Sequence, residues 1–599
     1  MLHWVALASH PVPATGLDVP EHGDADADDL RAALADQWHG LLPGFHRLCF
    51  DDGHVLLTLC VGDTRPLLRA QHFEADEIVV DAATLRGDVT VAAPMAVVDL
   101  AKALARFARP GTLFKADDVT PDLRDALKPQ GFRLRPLDRA DRGAASGLVG
   151  EFAPAWRVRR RSAPSVEDGG PVASEAPGHC IVVGAGLAGA AVAASLARRG
   201  WRVTVLDAGT RAATGASGVP AGVFAPHVSS DDALLSRLTR AGLRLTHQQL
   251  RARLREGVDW HDGGVLERRT SGDDRLPADW RTDGPNESWH ATPERLTALG
   301  LPVEATALWH ARAGWVRPAR LVEAWLASPG VTLQTGARVA RIAPVADGIE
   351  PRKSDGTGDF MPGGMPCRSR WTVLDVDGRC LAEGDRVVVA AGFESAALAT
   401  GSRIPLQRVR GQLAWGRMGL VAGLADALPT APLNGDGHLI AHVPDAAGAF
   451  WLTGATFDRD RDDVGTSASD TGINLTRLAR LHPAAHALLT GVATTTGTRR
   501  DTPEAAMHRR QDAPPRSDGI HAWAGVRCAS SDRRPLVGPL DPGVPGGPWL
   551  CTAMGSRGLS FAVLCAELLA ARWHGEPLPL PVALAQALDT ARVARVPRR

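Results

Sequence analysis

The chain has 599 residues, 67 Lys and Arg against 67 Asp and Glu, 44% hydrophobic and 22% charged residues, which is the composition of a globular protein with room for about three to four domain-sized units. Zero net charge excludes a global field that gathers nucleic acid, so any such contact falls to local clusters. Eight cysteines without a CxxC pair exclude a zinc-ribbon pattern and a disulfide framework, so no metal site is expected and a reducing cytoplasm fits; the opening MLHWVALASHPVP lacks the flank and core of a secretion signal, and no apolar run is long enough to span a membrane.

Strand-like runs HWVALAS, VLLTLCV, EIVVDA, TLFKA and FRLRPL, with a helical run from Pro94 to Arg109 closed by Pro110 and Gly111, predict an α/β sheet over residues 1–156. Inside it the acidic run from Asp24, DADADD, copies part of a calcium loop. Asp29 stands where the obligatory glycine belongs and Ala35 where the bidentate acid belongs, so a solvated loop is predicted. Residues 161–179 are rich in Pro, Gly, Ser and Ala without periodicity and read as an interdomain linker, preceded by the basic group Arg157, Arg159, Arg160 and Arg161.

Next, IVVGAGLAGAAVAASLARRGWRVTVLDAG (181–209) gives a strand, a GxGxxG turn, a helix, a second strand and an acid. The chemistry of a dinucleotide demands this pattern. Gly184 permits the tight turn, Gly186 lets the main chain approach a pyrophosphate, and Gly189 lets the helix pack on the strand. Asp207, about 20 residues on, suits the adenosine ribose, and Ser217 in GASG suits a contact to the pyrophosphate or to another part of such a cofactor.

Farther along, ARVARIAP from Ala337 and RWTVLDVDG from Arg370 are predicted as paired strands, with a Gly- and Pro-rich insertion between them at 347–369. RVVVAAG is a buried strand ending in small residues at Gly392, as expected where a chain passes under a nucleotide. GSRGLSFAVLCAELLAARW, from Gly555, is a glycine turn opening an apolar helix. A helix start there aims its positive end at a ligand and would stabilise negative charge on a reduced flavin.

GxGxxG, VVVAAG and GSRGL together resemble the D-amino-acid-oxidase-like, or glycine oxidase-like, family of FAD amine oxidases. More narrowly, GASGVPAGVFAPHVS (215–229), GWVRPARL (314–321), PLQRVRGQ (405–412), GVRCASSDRRPLVGPL (525–540) and GSRGL (555–559) resemble, in order, motifs of the bifunctional tRNA 5-methylaminomethyl-2-thiouridine biosynthesis family. LLPGFHRL (41–48) and its flanking strands resemble the second half of that family's methyltransferase domain. The resemblance implies a partial Rossmann-like methyltransferase domain over 1–156, a linker over 157–179, and a GxGxxG FAD-binding domain over 180–594 whose mixed-sheet substrate part is interleaved at roughly 240–335 and 400–520. It implies non-covalent FAD, S-adenosylmethionine as the family's methyl donor, a tRNA wobble uridine as substrate, molecular oxygen or another electron acceptor, and a monomer.

The same resemblance implies removal of the carboxymethyl group from 5-carboxymethylaminomethyluridine, followed by methylation of the amine. The reacting unit is a glycine attached to the base: FAD oxidises its CH2, and hydrolysis releases glyoxylate. Arg527 in GVR and Arg557 in GSRGL are expected at the substrate carboxylate, since a guanidinium can bind both oxygens at once. Gly555, Gly558 and Leu559 are expected at the flavin, and Val339 at the adenine. His227 and His442 carry no spacing that ties them to chemistry.

Two departures stand out. The chain starts after the point where the family's glycine-rich methyl-donor motif would stand, and where the family has Asp-Gly-Phe-x-Pro-x-Lys-Asn-Pro this sequence reads VVDAATLRGD, keeping at most the acid at Asp81. No methyl transfer is expected. Phosphate contacts are sought at Arg157–Arg161, Arg499 with Arg500, Arg509 with Arg510, and Arg533 with Arg534. The competing readings are a small-molecule amine oxidase and a tRNA-binding flavoprotein without turnover.

Overall fold

A computed structural model describes residues 1–9, 25–80, 96–117, 121–136, 147–156, 176–269, 274–281, 287–345, 370–399, 404–420, 423–495, 519–544 and 546–594. Residues 81–88 of the VVDAATLRGD stretch, the arginines at 157–161, 499–500 and 509–510, and the insertion at 347–369 lie outside the described residues. The chain divides into two units, one of Met1–Ala176 with Glu567–Arg592 and one of Pro177–Ala566 with Val593–Arg599.

The first unit is α/β. Strand Leu2–Ala8 pairs parallel with Val55–Val61, which pairs antiparallel with Gly44–Phe50. A second sheet runs Ala75–Val80, Ala108–Ala116, Leu148–Phe152, Phe132–Pro136, its first pair parallel and the others antiparallel. Helix Val97–Phe107 turns Leu100, Ala101, Leu104 and Phe107 inward onto Phe114, Phe132 and Phe152, the 3.6-residue stripe of a core-facing helix.

Two expectations fail here. DADADD is not a loop: from Ala25 it enters helix Ala25–Gln37, because carboxylates early in a helix meet its positive end and the Ala- and Leu-rich stretch behind them propagates it well. Pro110 and Gly111 do not follow a helix directly but lie within strand Ala108–Ala116, where the register jumps from Ala75 opposite Ala108 to Glu77 opposite Leu113. An irregularity of this kind takes the proline and glycine out of the ladder.

The second unit is built on a six-stranded sheet ordered Val331–Gln334, Arg202–Leu206, His179–Val183, Arg386–Val389, Trp549–Thr552, Leu536–Pro539, parallel apart from the last pair. Arg341–Pro344, Trp371–Leu374 and Cys380–Gly384 form a small antiparallel sheet, so the strands expected around the insertion do pair. A nine-stranded mixed sheet gathers Ser288–His290, Ala307–His310, Val265–Arg268, Leu433–Gly435, Gly437–Asp445, Gly448–Gly454 and Leu406–Arg417. Asp458–Arg459 and His521–Ser530 both pair with Leu406–Arg417. Among the described residues no helix is long and apolar enough to cross a membrane.

Candidate active site

The first strand of the six-stranded sheet, His179–Val183, passes through the glycine turn into helix Leu187–Arg198. Gly184 has φ of +108°, and a Cβ there would lie 2.6 Å from the Ala390 carbonyl oxygen at the end of the neighbouring strand. A Cβ on Gly189 would lie 1.9 Å from the Gly184 carbonyl oxygen, so the helix sits directly on its own entry loop. Gly186 is the N-cap, and the Ser217 hydroxyl accepts a hydrogen bond from the Leu187 N–H at 3.0 Å. The other first-turn N–H groups have no partner within the helix, which makes this end an anion cradle.

The Asp207 carboxylate accepts from Ala185 N–H at 2.6 Å and from Gly209 N–H at 2.8 Å. It therefore fastens the glycine turn to the second strand, and each oxygen keeps a further lone pair for a ribose hydroxyl. Val339 is not in a strand: it belongs to the link before Arg341–Pro344, half-buried against the cluster of Ile181, Val183 and Leu206.

A second helix start converges on the first. Gly555 has φ of +59° and donates its N–H to Cys528 O at 2.8 Å, tying the GSRGL turn to strand His521–Ser530. Helix Gly558–His574 begins so close to the fingerprint helix that a Cβ on Gly558 would lie 3.2 Å from Leu187 Cδ1. Two positive helix ends thus meet at one point. The last helix is held by Thr246, whose hydroxyl donates to Leu559 O at 2.6 Å, and by Gly242, where a Cβ would lie 1.7 Å from Ser560 O. Gly392, with φ of +59°, accepts from the Thr552 hydroxyl at 3.0 Å.

Arg527 stands on strand His521–Ser530, opposite Val409. Its guanidinium lies over Gly411, where a Cβ would meet Nη2 at 1.7 Å, donates to Thr456 O at 3.1 Å, and sits 5.7 Å from the Phe457 ring centre. Burial works against its charge, with Asp458 a smaller opposing influence; Asp458 itself bonds Arg410 at 3.3 Å. Arg557 is likewise disfavoured as a cation, by burial and then by Arg533, while Glu267 opposes. Among the described residues neither Arg527 nor Arg557 has a carboxylate within ion-pair distance. Both are half-buried cations.

Burial first, and then nearby Arg557, push the pKa of His227 down; its Nδ1 is 3.1 Å from the Ser236 hydroxyl. His442 sits at the register shift of strand Gly437–Asp445, its Nε2 3.3 Å from Leu428 O. Arg534 is locked to Asp532, with Nε 2.9 Å from Oδ2, which leaves Arg533 as the exposed member of that pair. One further group, Glu256, His261 and Asp262, brings three possible ligating atoms within 4.8 Å of one another, but Asp262 is already bonded to His247 at 2.9 Å. Sequence reasoning missed His438, whose buried Nε2 has no hydrogen-bond partner among the described residues.

A family model described as FAD dependent oxidoreductase matches residues 179–572. The tRNA 5-methylaminomethyl-2-thiouridine biosynthesis bifunctional protein MnmC of Polaromonas sp. is 42% identical over 603 residues, 98% of this chain and 85% of that protein. Its namesake in Delftia acidovorans is also 42% identical, over 99% of this chain and 87% of that protein. Among solved structures, glycine oxidase from Geobacillus kaustophilus shares the fold with a TM-score of 0.50 at 21% identity, covering 71% of this chain and all of the oxidase.

Proposed function

Since this chain belongs to the FAD dependent oxidoreductase family and to the tRNA 5-methylaminomethyl-2-thiouridine biosynthesis bifunctional proteins, we propose that it removes the carboxymethyl group of 5-carboxymethylaminomethyluridine, 2-thiolated or not, at the tRNA wobble position. It is an FAD-dependent oxidoreductase that modifies tRNA. The residues fit FAD: the glycines at 184, 186 and 189 clear a path where any side chain would strike main chain or Ser217, and two helix N-termini meet there. Gly184, Gly186, Gly189 and Ser217 would hold the pyrophosphate, Asp207 the ribose, Val339 the adenine, and Gly392, Gly555, Gly558 and Leu559 the flavin. Bound FAD supplies a two-electron oxidation of the CH2 beside the amine nitrogen, with oxygen or another acceptor taking the electrons onward.

The rest is placement by the chain. The observation that carries this reading is that two half-buried guanidiniums lack carboxylate partners among the described residues: Arg557, directly before the last helix, and Arg527, directly before Cys528, whose carbonyl ties down the GSRGL turn. They would fix the carboxylate of the glycine-like arm and so present its CH2 for oxidation. Water then attacks the imine carbon, and glyoxylate leaves while the primary amine stays on the tRNA. An extruded wobble base reaches such a site more readily than a paired one. Exposed Arg533 is a candidate phosphate contact, worth salt-dependent affinity without sequence reading. The altered stretch VVDAATLRGD supports loss of methyl transfer in the first unit.

Nucleoside mass spectrometry tests this. tRNA carrying 5-carboxymethylaminomethyluridine is incubated with the purified protein, with and without S-adenosylmethionine. The aminomethyl nucleoside is expected in both samples, with one glyoxylate per base. Unchanged tRNA refutes the oxidase reading; the methylaminomethyl nucleoside in the sample with methyl donor refutes the loss of methylation. Flavin reduction by free glycine or sarcosine, with tRNA inert, gives a small-molecule oxidase instead.

A further inference from the structure

The mixed sheet carries a polar side chain whose placement the reaction above does not use. In antiparallel pairs directly opposed residues share a face, and so do residues two apart on one strand. His438 opposes Gly454, Gly454 opposes Leu413, and Leu413 opposes Trp523. Trp523, Gly525 and Arg527 alternate along one strand, so His438 and Arg527 share a face. Leu413 and Trp523 stand on the same face, with the Trp523 ring over Gly525, while Gly411 and Gly454 are the positions between His438 and Arg527 that carry no side chain. Arg527 bends over Gly411 toward Thr456, and Thr456 is two residues beyond Gly454, so the guanidinium leans toward the histidine.

His438 is set up to make a hydrogen bond it does not have. Its Nε2 is buried and unpartnered among the described residues. Leaving such an atom unsatisfied costs about 1–3 kcal/mol, so an unused ring nitrogen beside a substrate cation points to a ligand group that completes it. Burial first, and then the Arg527 cation, push its pKa from 6.5 to about 4, so the imidazole is neutral at physiological pH. Arg527 supplies the charge that a carboxylate needs; a neutral ring nitrogen suits the uncharged end of the same arm, its secondary amine.

We propose that His438 is a substrate contact, its Nε2 accepting a hydrogen bond from the amine N–H of the carboxymethylamino arm whose carboxylate Arg527 binds. The arm is then held at both ends, with its CH2 between them, and the amine's lone pair is left free for the oxidation. This inference rests on the tRNA oxidase reading. It also gives the site a requirement for an N–H on the reacting nitrogen.

The test measures the anaerobic rate at which tRNA carrying 5-carboxymethylaminomethyluridine reduces the bound flavin, with FAD content and thermal stability recorded for each protein. His438→Gln keeps a polar atom at similar reach, and His438→Asn withdraws it while keeping the same chemistry. Gln is expected to stay within about threefold of the wild type and Asn to fall about tenfold or more in limiting rate, as loss of one hydrogen bond implies, with both holding FAD. Equal rates in Gln and Asn overturn the proposal, as does a His438→Phe variant as fast as the wild type. A wild-type flavin that this tRNA leaves oxidised overturns the oxidase reading, and this inference with it.

Discussion

Gly411→Ala is the most diagnostic change available, because it disturbs the proposed carboxylate clamp without altering a charged or reacting group. The new Cβ would lie 1.7 Å from Arg527 Nη2, 2.8 Å from its Cζ and 2.8 Å from Thr456 O. The side chain of Arg527 is the yielding partner, being longer and freer than the Thr456 main chain, so the guanidinium must leave its place. Gly411 lies in an extended strand, a backbone conformation open to alanine, and restricting the unfolded chain there is worth about 0.4–1 kcal/mol. That gain offsets the strain at Thr456, so thermal stability should move little. Function should not be spared: a hydrogen bond to a charged group is worth about 1.5–3 kcal/mol, so kcat/KM for the modified tRNA should fall about 10- to 150-fold.

The assay is flavin reduction by that tRNA, run as a double-mutant cycle with Arg527→Met. If both changes act through one guanidinium, the double mutant is no worse than Arg527→Met alone. Additive losses would show that Gly411 matters for another reason, and a Gly411→Ala protein with wild-type turnover would refute the assignment of Arg527 to the substrate.

Two further outcomes follow from the same geometry. Gly189→Ala puts a Cβ 1.9 Å from Gly184 O, a main-chain clash that only a shift of the helix can relieve; the purified protein should lose its visible flavin absorbance, and a fully yellow Gly189→Ala protein would contradict the cradle. Asp262 is held by His247 at a pKa lowered from 3.8 to about 2, so its folded value lies below its unfolded one, and the stability it adds is complete above about pH 4 and lost toward pH 2. Asp262→Asn should therefore cost on the order of 1–2 kcal/mol near neutrality, with the gap between the two melting curves closing as the pH falls through that window; a gap that widens in acid would reverse the sign.

What could be read from sequence was what is local. Gly184, Gly186 and Gly189 are legible because the steric demands of the turn fall on consecutive residues, and the strand, helix and acid around them repeat one geometry. Arg527 and Arg557 were legible through their GVR and GSRGL surroundings, not through their spacing. His438 was not legible at all: its relation to Arg527 is set by register across Gly437–Asp445, Gly448–Gly454, Leu406–Arg417 and His521–Ser530, which no short pattern encodes. Pro110 and Gly111 misled for the opposite reason. A helix stop and a bulge use the same residues, and only the pairing partner, Ala75–Val80, distinguishes them.

The arginines show how the second unit separates structure from function. Buried Arg410 bonds Asp470 at 2.7 Å, Arg244 bonds Glu287 at 3.2 Å, and Arg417 bonds Asp445 at 2.6 Å. These cations are neutralised within the fold, as burial requires. Among the described residues Arg527 and Arg557 have no such carboxylate partner, and an uncompensated charge in such surroundings costs stability that the scaffold must recover elsewhere. If the two guanidiniums bind the substrate carboxylate as proposed, that cost is relieved on binding, and affinity is tied to the group the reaction removes. Once glyoxylate departs, the aminomethyl base has nothing left for either guanidinium, and tRNA carrying it should bind more weakly than tRNA carrying the carboxymethylaminomethyl base. On the proposed reading, substrate capture and product release come from the same two guanidiniums.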